Sequence, residues 1–287
     1  MHQIYKLIKL NRLVRSYRVK FFGVWIADLV GLRHLFLRLD PVNACNLKCG
    51  MCYFSDKAYA KKIRGRFSEN DLRRIATLFF SRTIQLVIGC AAEPTLYKDY
   101  VGLIQLAKNH HIPFVGFTTN GQLLDDNSIR KMVLVGLDEI TLSVHGVTEE
   151  SYEKFMVNSS FKKLHETLQL LTDYKTRYQK VLPEIRINYT VNADNLEELS
   201  NFFEIFGHYR INTLQIRPMV DVGNTSVPHK PMDQNTLDRY FEVLDKLRLK
   251  CVERKVVFLA TKKDPNFDSY DKGTGYVLPA ILRTIHP

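Results

Sequence analysis

Cysteine is scarce in this chain, five in 287 residues, too few and too unevenly placed for a disulfide framework. That argues against a small secreted scaffold and fits a reducing, cytoplasmic setting in which thiols stay available for metal. Long apolar runs are missing too. None approaches a membrane span, and the amino-terminal region lacks the uninterrupted apolar core of a signal peptide. Acids are nearly absent from residues 2–35, which hold Lys6, Lys9, Arg12, Arg15, Arg18, Lys20 and Arg33 against Asp28 alone. The remaining composition, 45% hydrophobic and 25% charged, is globular and sufficient for one large α/β domain or two small ones.

The basic segment has a pattern. Leu7, Leu10, Val14, Tyr17 and Phe21 follow a three-then-four spacing and form one helical stripe. This predicts an amphipathic helical extension over residues 1–34. It is expected to dock its stripe on the domain and solvate its charges. An anionic membrane surface and a nucleic acid are the alternatives set behind it.

The scarce cysteines are concentrated. Residues 35–53 read LFLRLDPVNACNLKCGMCY: a strand-like run from Leu35 to Leu39, then a loop broken at Pro41. Cys45, Cys49 and Cys52 lie within eight residues of that loop. Asn43, Asn46 and Gly50 permit the turning such a wrap needs. Three thiolates do not close a four-thiolate shell, so a position stays open for an exogenous ligand, as in catalytic centres. A structural zinc site completed from afar, or cysteines clustered without metal, are the alternatives. A zinc ribbon wants paired C-x2-C knuckles, and only one such pair exists.

Downstream, strand and helix patterns alternate. The connector from Lys57 to Arg66 is basic, and Ser68 caps a helix running to Phe80. Strands are expected at 84–88, 113–117, 139–144, 185–191 and 213–217. Helices are expected at 100–110, 126–135, 149–178 (one or two) and 196–206. Six strand–helix alternations with short links require a parallel sheet with right-handed crossovers. Six strands are too few for a closed eight-fold barrel, so the expected fold is α/β, an open partial (β/α)6 TIM-like barrel over residues 35–222. Residues 223–287 are expected to hold a helix from Asp233 to Arg254, a strand-like Val256 to Ala260, and a loop over the last twenty-five residues.

Chemistry in such barrels sits at the carboxyl ends of strands, where the unusual residues here recur. The second strand ends in Gly89-Cys90-Ala91-Ala92-Glu93-Pro94, with Glu93 placed to accept hydrogen bonds from an ammonium group. Cys90 is expected to be a small buried residue rather than a fourth ligand. The third ends in Thr118-Thr119-Asn120-Gly121 and the fourth in Ser143-Val144-His145-Gly146. The fifth carries Arg186, Asn188 and Thr190 on one face, which suggests a wet cavity. The sixth ends in Arg217-Pro218-Met219. Arg186 and Arg217 are each read as either a carboxylate partner or a structural ion pair.

The cysteine spacing after a first strand resembles the signature of the radical S-adenosylmethionine (radical SAM) superfamily. The resemblance implies that Cys45, Cys49 and Cys52 hold a 4Fe–4S cluster whose fourth iron chelates SAM. It further implies SAM contacts at Met51, Ala92, Glu93, Asn120 and Ser143; Lys154, in place of a usual arginine, and Asn188 and Arg217, from their places on the strands, complete the expected SAM site. Met51 stands where an aromatic residue is usual, and Ala91 and Ala92 replace glycines of a Gly-Gly-Glu-Pro motif. Phe155 stands near a usual arginine, with Lys154 beside it, and His145 stands where many members have aspartate. The organisation is most similar to the peptide- and protein-modifying branch, whose members continue into a SPASM or twitch auxiliary-cluster domain. Only Cys251 lies beyond the core here, so this chain either lacks that domain or was cut before it.

The activity implied is reductive cleavage of SAM to a 5′-deoxyadenosyl radical that abstracts hydrogen. The electron would come from an external flavodoxin- or ferredoxin-like donor. A peptide or protein is the first expectation for the substrate, followed by a small metabolite or sugar, then RNA on the strength of the net charge of +11. A non-catalytic iron–sulfur or zinc scaffold is the rival outside enzymes.

Overall fold

The structure, a computed structural model, describes residues 16–220, 225–227, 230–260 and 282–285. Eight parallel strands form one open sheet. In chain order they are β1 (Leu35–Leu39), β2 (Thr83–Ile88), β3 (Phe114–Thr119), β4 (Glu139–Val144), β5 (Glu184–Val191), β6 (Thr213–Pro218), β7 (Val257–Ala260) and β8 (Leu282–Ile285). Their spatial order is β7-β6-β5-β4-β3-β2-β1-β8. The six expected strands are the middle six, so the partial barrel stands and gains a strand at each edge. β8 corrects the reading of the tail as loop throughout: it pairs in parallel with β1.

The described helices are α1 (Tyr17–Leu29), α2 (Lys57–Lys62), α3 (Glu69–Phe79), α4 (Tyr100–Asn109), α5 (Asp126–Val135), α6 (Glu149–Phe155), α7 (Phe161–Arg177), α8 (Phe202–Phe206) and α9 (Gln234–Glu253). Most starts follow from local chemistry. Ser68 and Asp71 close a reciprocal capping box on α3, and Asp125 with Ser128 does the same on α5. The basic connector is not all coil, because the Asp56 carboxylate accepts the amides of Ala58 and Tyr59 and starts α2. Residues 149–178 divide into two helices. Asn158 takes φ +74° between them, and Ser160 then caps α7.

Strand alternation separates the two faces of the sheet. Leu37, Leu39, Leu86, Ile88, Phe117, Leu142, Ile187 and Leu214 point to one side and are fully or almost fully buried. Each such side chain contributes about 1.5–3 kcal/mol by leaving water. The cross-strand partners of the other side are polar: Thr141 lies between Thr118 and Arg186, and Ser143 faces Asn188. The polar face expected from strand five is therefore present. At its amino-terminal end Arg186 Nη2 donates to Glu139 Oε2 at 2.8 Å, a largely buried ion pair. Arg186 takes the structural alternative.

The amino-terminal expectation is corrected. Residues 1–15, with Leu7, Leu10 and Val14, lie outside the described residues. α1 buries none of its side chains, and Phe22 and Trp25 are 59% and 58% exposed. Of the stripe, the described members Tyr17 and Phe21 are 54% and 49% exposed and do not dock on the barrel. The root of α1 is held instead by Arg33, whose guanidinium donates to the carbonyls of Phe80 at 2.6 Å, Thr83 at 3.0 Å and His110 at 2.7 Å. Those bonds tie the root to the amino-terminal edge of the sheet and leave the helix beyond it unpacked.

Candidate functional site

At the carboxyl edge, three loops interlock. The cysteine loop leaves β1 and is anchored by Leu47 and Phe54, both buried. Its backbone is tied across the mouth by Lys48 N–H to Val157 O and Gly50 N–H to Phe155 O, each 3.0 Å. Gly50 also accepts the amide of Val227 at 2.9 Å. A Cβ at Gly50 would lie 2.5 Å from Val227 Cγ2, so glycine is required for the segment 225–227 to lie over the loop.

Cys45, Cys49 and Cys52 are half-buried. Cys45 Sγ accepts the Leu47 amide at 3.4 Å and faces Asn120 Nδ2 at 3.9 Å. Burial pushes the Cys45 thiol up to about 12 and raises Cys49 and Cys52 as well. The thiolate form therefore needs a positive partner to offset lost hydration. Among the described residues no three His, Cys, Asp or Glu side chains converge on one ion position. Cys45 and Cys52 each raise Cys49 electrostatically, so both lie near it. Three thiols gathered on one short loop supply soft sulfur donors of the kind that hold an iron–sulfur cluster.

The second loop follows β2. Gly89 takes φ +78°, and a Cβ there would meet Thr118 O at 2.3 Å; only glycine turns so tightly against β3. Beyond it the amides of Cys90, Ala91 and Ala92 converge on Asp40 Oδ1 at 2.7, 3.1 and 3.3 Å. Asp40 is fully buried. The sequence reading overlooked it, although an acid closing an apolar strand before Pro41 was a usable signal. Cys90 is corrected: it is exposed, its thiol donating to Val87 O at 3.5 Å.

Glu93 is buried and ties the second loop to the third. Oε1 accepts from Thr95 N at 3.2 Å, Thr95 Oγ1 at 2.6 Å and Thr119 Oγ1 at 2.6 Å, and Oε2 accepts the Asn120 amide at 2.8 Å. Burial pushes its carboxyl up against the pull of those bonds. Asn120 Nδ2 in turn donates to Asn46 Oδ1 at 2.9 Å, closing back on the cysteine loop. Tyr53 Oη donates to Ala91 O at 2.9 Å. Cys45, Ala92, Glu93 and Asn120 are thus brought into one hydrogen-bonded assembly.

The other candidates disperse. Met51 is buried with Phe155 and Met219, and its sulfur lies 3.6 Å from Asn192 Nδ2. Ser143 and Asn188 are neighbours across β4 and β5 on the polar face. Asn188 Oδ1 is buried without a partner among the described residues, a vacancy suited to a ligand hydroxyl. Lys154 is exposed on α6, its ammonium 5.3 Å over the Phe155 ring. Arg217 is exposed at the end of β6.

His145 Nδ1 accepts the Thr190 amide at 3.3 Å, which leaves the ring hydrogen on Nε2. Burial lowers this imidazole to about 4 from its ordinary 6.5. Between those values the unfolded chain holds more protons, so stability falls as pH falls, by up to about 3 kcal/mol. Urea denaturation at neutral pH and at about pH 5 checks this: His145→Asn should lose less stability between the two than the parent chain. Equal losses would contradict it.

The Radical SAM superfamily pattern matches residues 39–203, the stretch that carries all three loops. The chain belongs to the radical SAM superfamily. It is a SAM-dependent iron–sulfur enzyme. A probable GTP 3′,8-cyclase of Saccharolobus solfataricus is 27% identical over 222 residues, 77% of this chain and 68% of that protein. SuiB of Streptococcus suis bound to S-adenosylmethionine superposes with a TM-score of 0.62 at 18% identity, over 80% of this chain and 51% of that one. AdoMet-bound anSMEcpe gives 0.62 at 18% identity, over 78% and 61%. The chain therefore spans only about half of SuiB, and the likeness to these two structures shows the fold. In this radical SAM chain, Cys45, Cys49 and Cys52 are the residues that would hold the cluster. The orphaned Asn188 oxygen on the polar face fits a polar ligand such as SAM.

Proposed function

We propose that this protein cleaves SAM reductively and uses the resulting radical to remove a hydrogen atom from a substrate held over the polar face. The observation that carries it is the interlock of the cysteine loop with Glu93 and Asn120 beside that face. The bound cluster and SAM supply one-electron cleavage of a carbon–sulfur bond. The protein's residues do the rest by placement. Glu93, through Oε2, and the backbone at Ala92 receive the ammonium of SAM; Ser143 and Asn188 receive its ribose. Met51 packs near the adenine. Lys154 and Arg217 are the candidate cations for carboxylates. Gly50 and Val227, hydrogen-bonded across the mouth, keep water from the reacting centre.

For the substrate we place a small metabolite of nucleotide type first, because relatives matched over two-thirds of their length carry the name GTP 3′,8-cyclase. This reverses the order read from the sequence. A peptide is the second reading, supported by the fold shared with SuiB, which is also seen bound to its precursor peptide SuiA. The electron donor is proposed to be a flavodoxin- or ferredoxin-like protein in the cytoplasm. Anaerobic turnover with nucleoside triphosphates or with peptides, read as 5′-deoxyadenosine formed above the substrate-free rate, tests the order. Stimulation by peptides alone would reverse it again.

A further inference from the structure

The chemistry above leaves α1 without a role. Val19, Phe22, Trp25, Leu29, Val30 and Leu32 on this helix and the turn after it are each more than half exposed, and Phe22 stacks on Trp25 at 5.7 Å. So dense an apolar surface on a globular protein marks an interaction site. Its charge is of one sign. Residues 1–27 contain no Asp or Glu, and Asp28 is turned back toward Arg82, 3.7 Å away. Arg18 and Lys20 remain among the apolar side chains, with Lys20 over the Tyr17 ring.

We propose that α1 and its following turn seat the protein on an anionic lipid surface. The aliphatic and aromatic side chains enter the acyl boundary, while Arg18, Lys20 and Tyr17 lie among the headgroups. With 13 residues the helix is about 20 Å long, short of the roughly 30 Å needed to span. No helix among the described residues is long and apolar enough to cross a membrane. A second copy fits less well, because pairing α1 with itself would bring Arg18 and Lys20 of two basic segments together. Nucleic acid fits less well, because Val19, Leu29, Val30 and Leu32 offer phosphates nothing and stack on no base. The Arg33 anchor fixes the seat at the amino-terminal edge of the sheet, opposite the cysteine loop, so docking leaves the mouth accessible.

Trp25 is the chain's sole tryptophan and reports directly. The full-length, cluster-loaded protein is mixed with vesicles of phosphatidylcholine alone or with phosphatidylglycerol, and both emission and co-sedimentation are measured. Emission should shift to the blue and protein should sediment only with the anionic vesicles, with salt weakening both. Arg18→Gln with Lys20→Gln should weaken binding on the order of thirtyfold. Phe22→Glu with Leu29→Glu should abolish it while SAM cleavage is unchanged, since neither position touches the site. Absence of binding to anionic vesicles overturns the proposal. So does equal binding to neutral ones, a dimer that these substitutions dissolve without any vesicle binding, or an RNA complex in its place.

Discussion

Cys49→Ala is expected to empty the centre and reduce 5′-deoxyadenosine formation to background. Cys49 is the middle cysteine of the loop, and its loss removes one of the three thiolates proposed to hold the cluster. Even outer residues around a metal typically change affinity by about 10–100-fold when lost; a ligand should cost more. The change leaves folding largely intact, because the backbone carbonyl that accepts the Cys52 amide at 2.9 Å stays in place. Iron and sulfide per chain after anaerobic reconstitution read the outcome. Cys90→Ala is the control: its thiol is exposed and donates to Val87 O, so iron content and turnover should match the parent. A Cys49→Ala protein that keeps iron and turnover would remove the cysteine loop from the account.

Asp40→Ala should have the next largest effect. One carboxylate oxygen gathers three successive amides and so fixes the path of the loop that delivers Ala92 and Glu93. Hydrogen bonds to a charged acceptor are worth about 1.5–3 kcal/mol each, and the freed amides recover part of this from water. A stability loss of about 2–4 kcal/mol is expected. The KM for SAM should rise about tenfold, with a smaller change in kcat, because the loop binds and does not react. Asp40→Asn keeps an acceptor without the charge and should fall between the two. Equal kcat and KM for Asp40→Ala and the parent would show that the loop holds its shape without Asp40.

The parts of the fold that could be read from the chain are those set by local pattern. β5 alternates Ile185, Ile187, Tyr189 and Val191 against Arg186, Asn188 and Thr190, and each row lies on the expected face. The cap at Ser68 starts α3 as its residues require. What escaped depends on distant partners. β8 is four residues whose strand character comes from pairing with β1, some 245 residues earlier. Asp40 is an unremarkable acid until three amides from residues 90–92 meet it. Cys90 was expected to be buried on the general habits of its type, but the Asp40-centred turn leaves it outside. Tyr17 and Phe21, the described members of the amino-terminal stripe, are helical as expected but exposed, because a pattern shows which face is apolar and not what covers it.

The central claim is that Cys45, Cys49 and Cys52 support reductive SAM cleavage beside Glu93 and Asn120. The most direct measurement is anaerobic: reconstitute with iron and sulfide, add dithionite and SAM, and quantify 5′-deoxyadenosine and methionine. Equal amounts of both products, absent without reductant, are the predicted result. A fully loaded cluster that leaves SAM intact would contradict it.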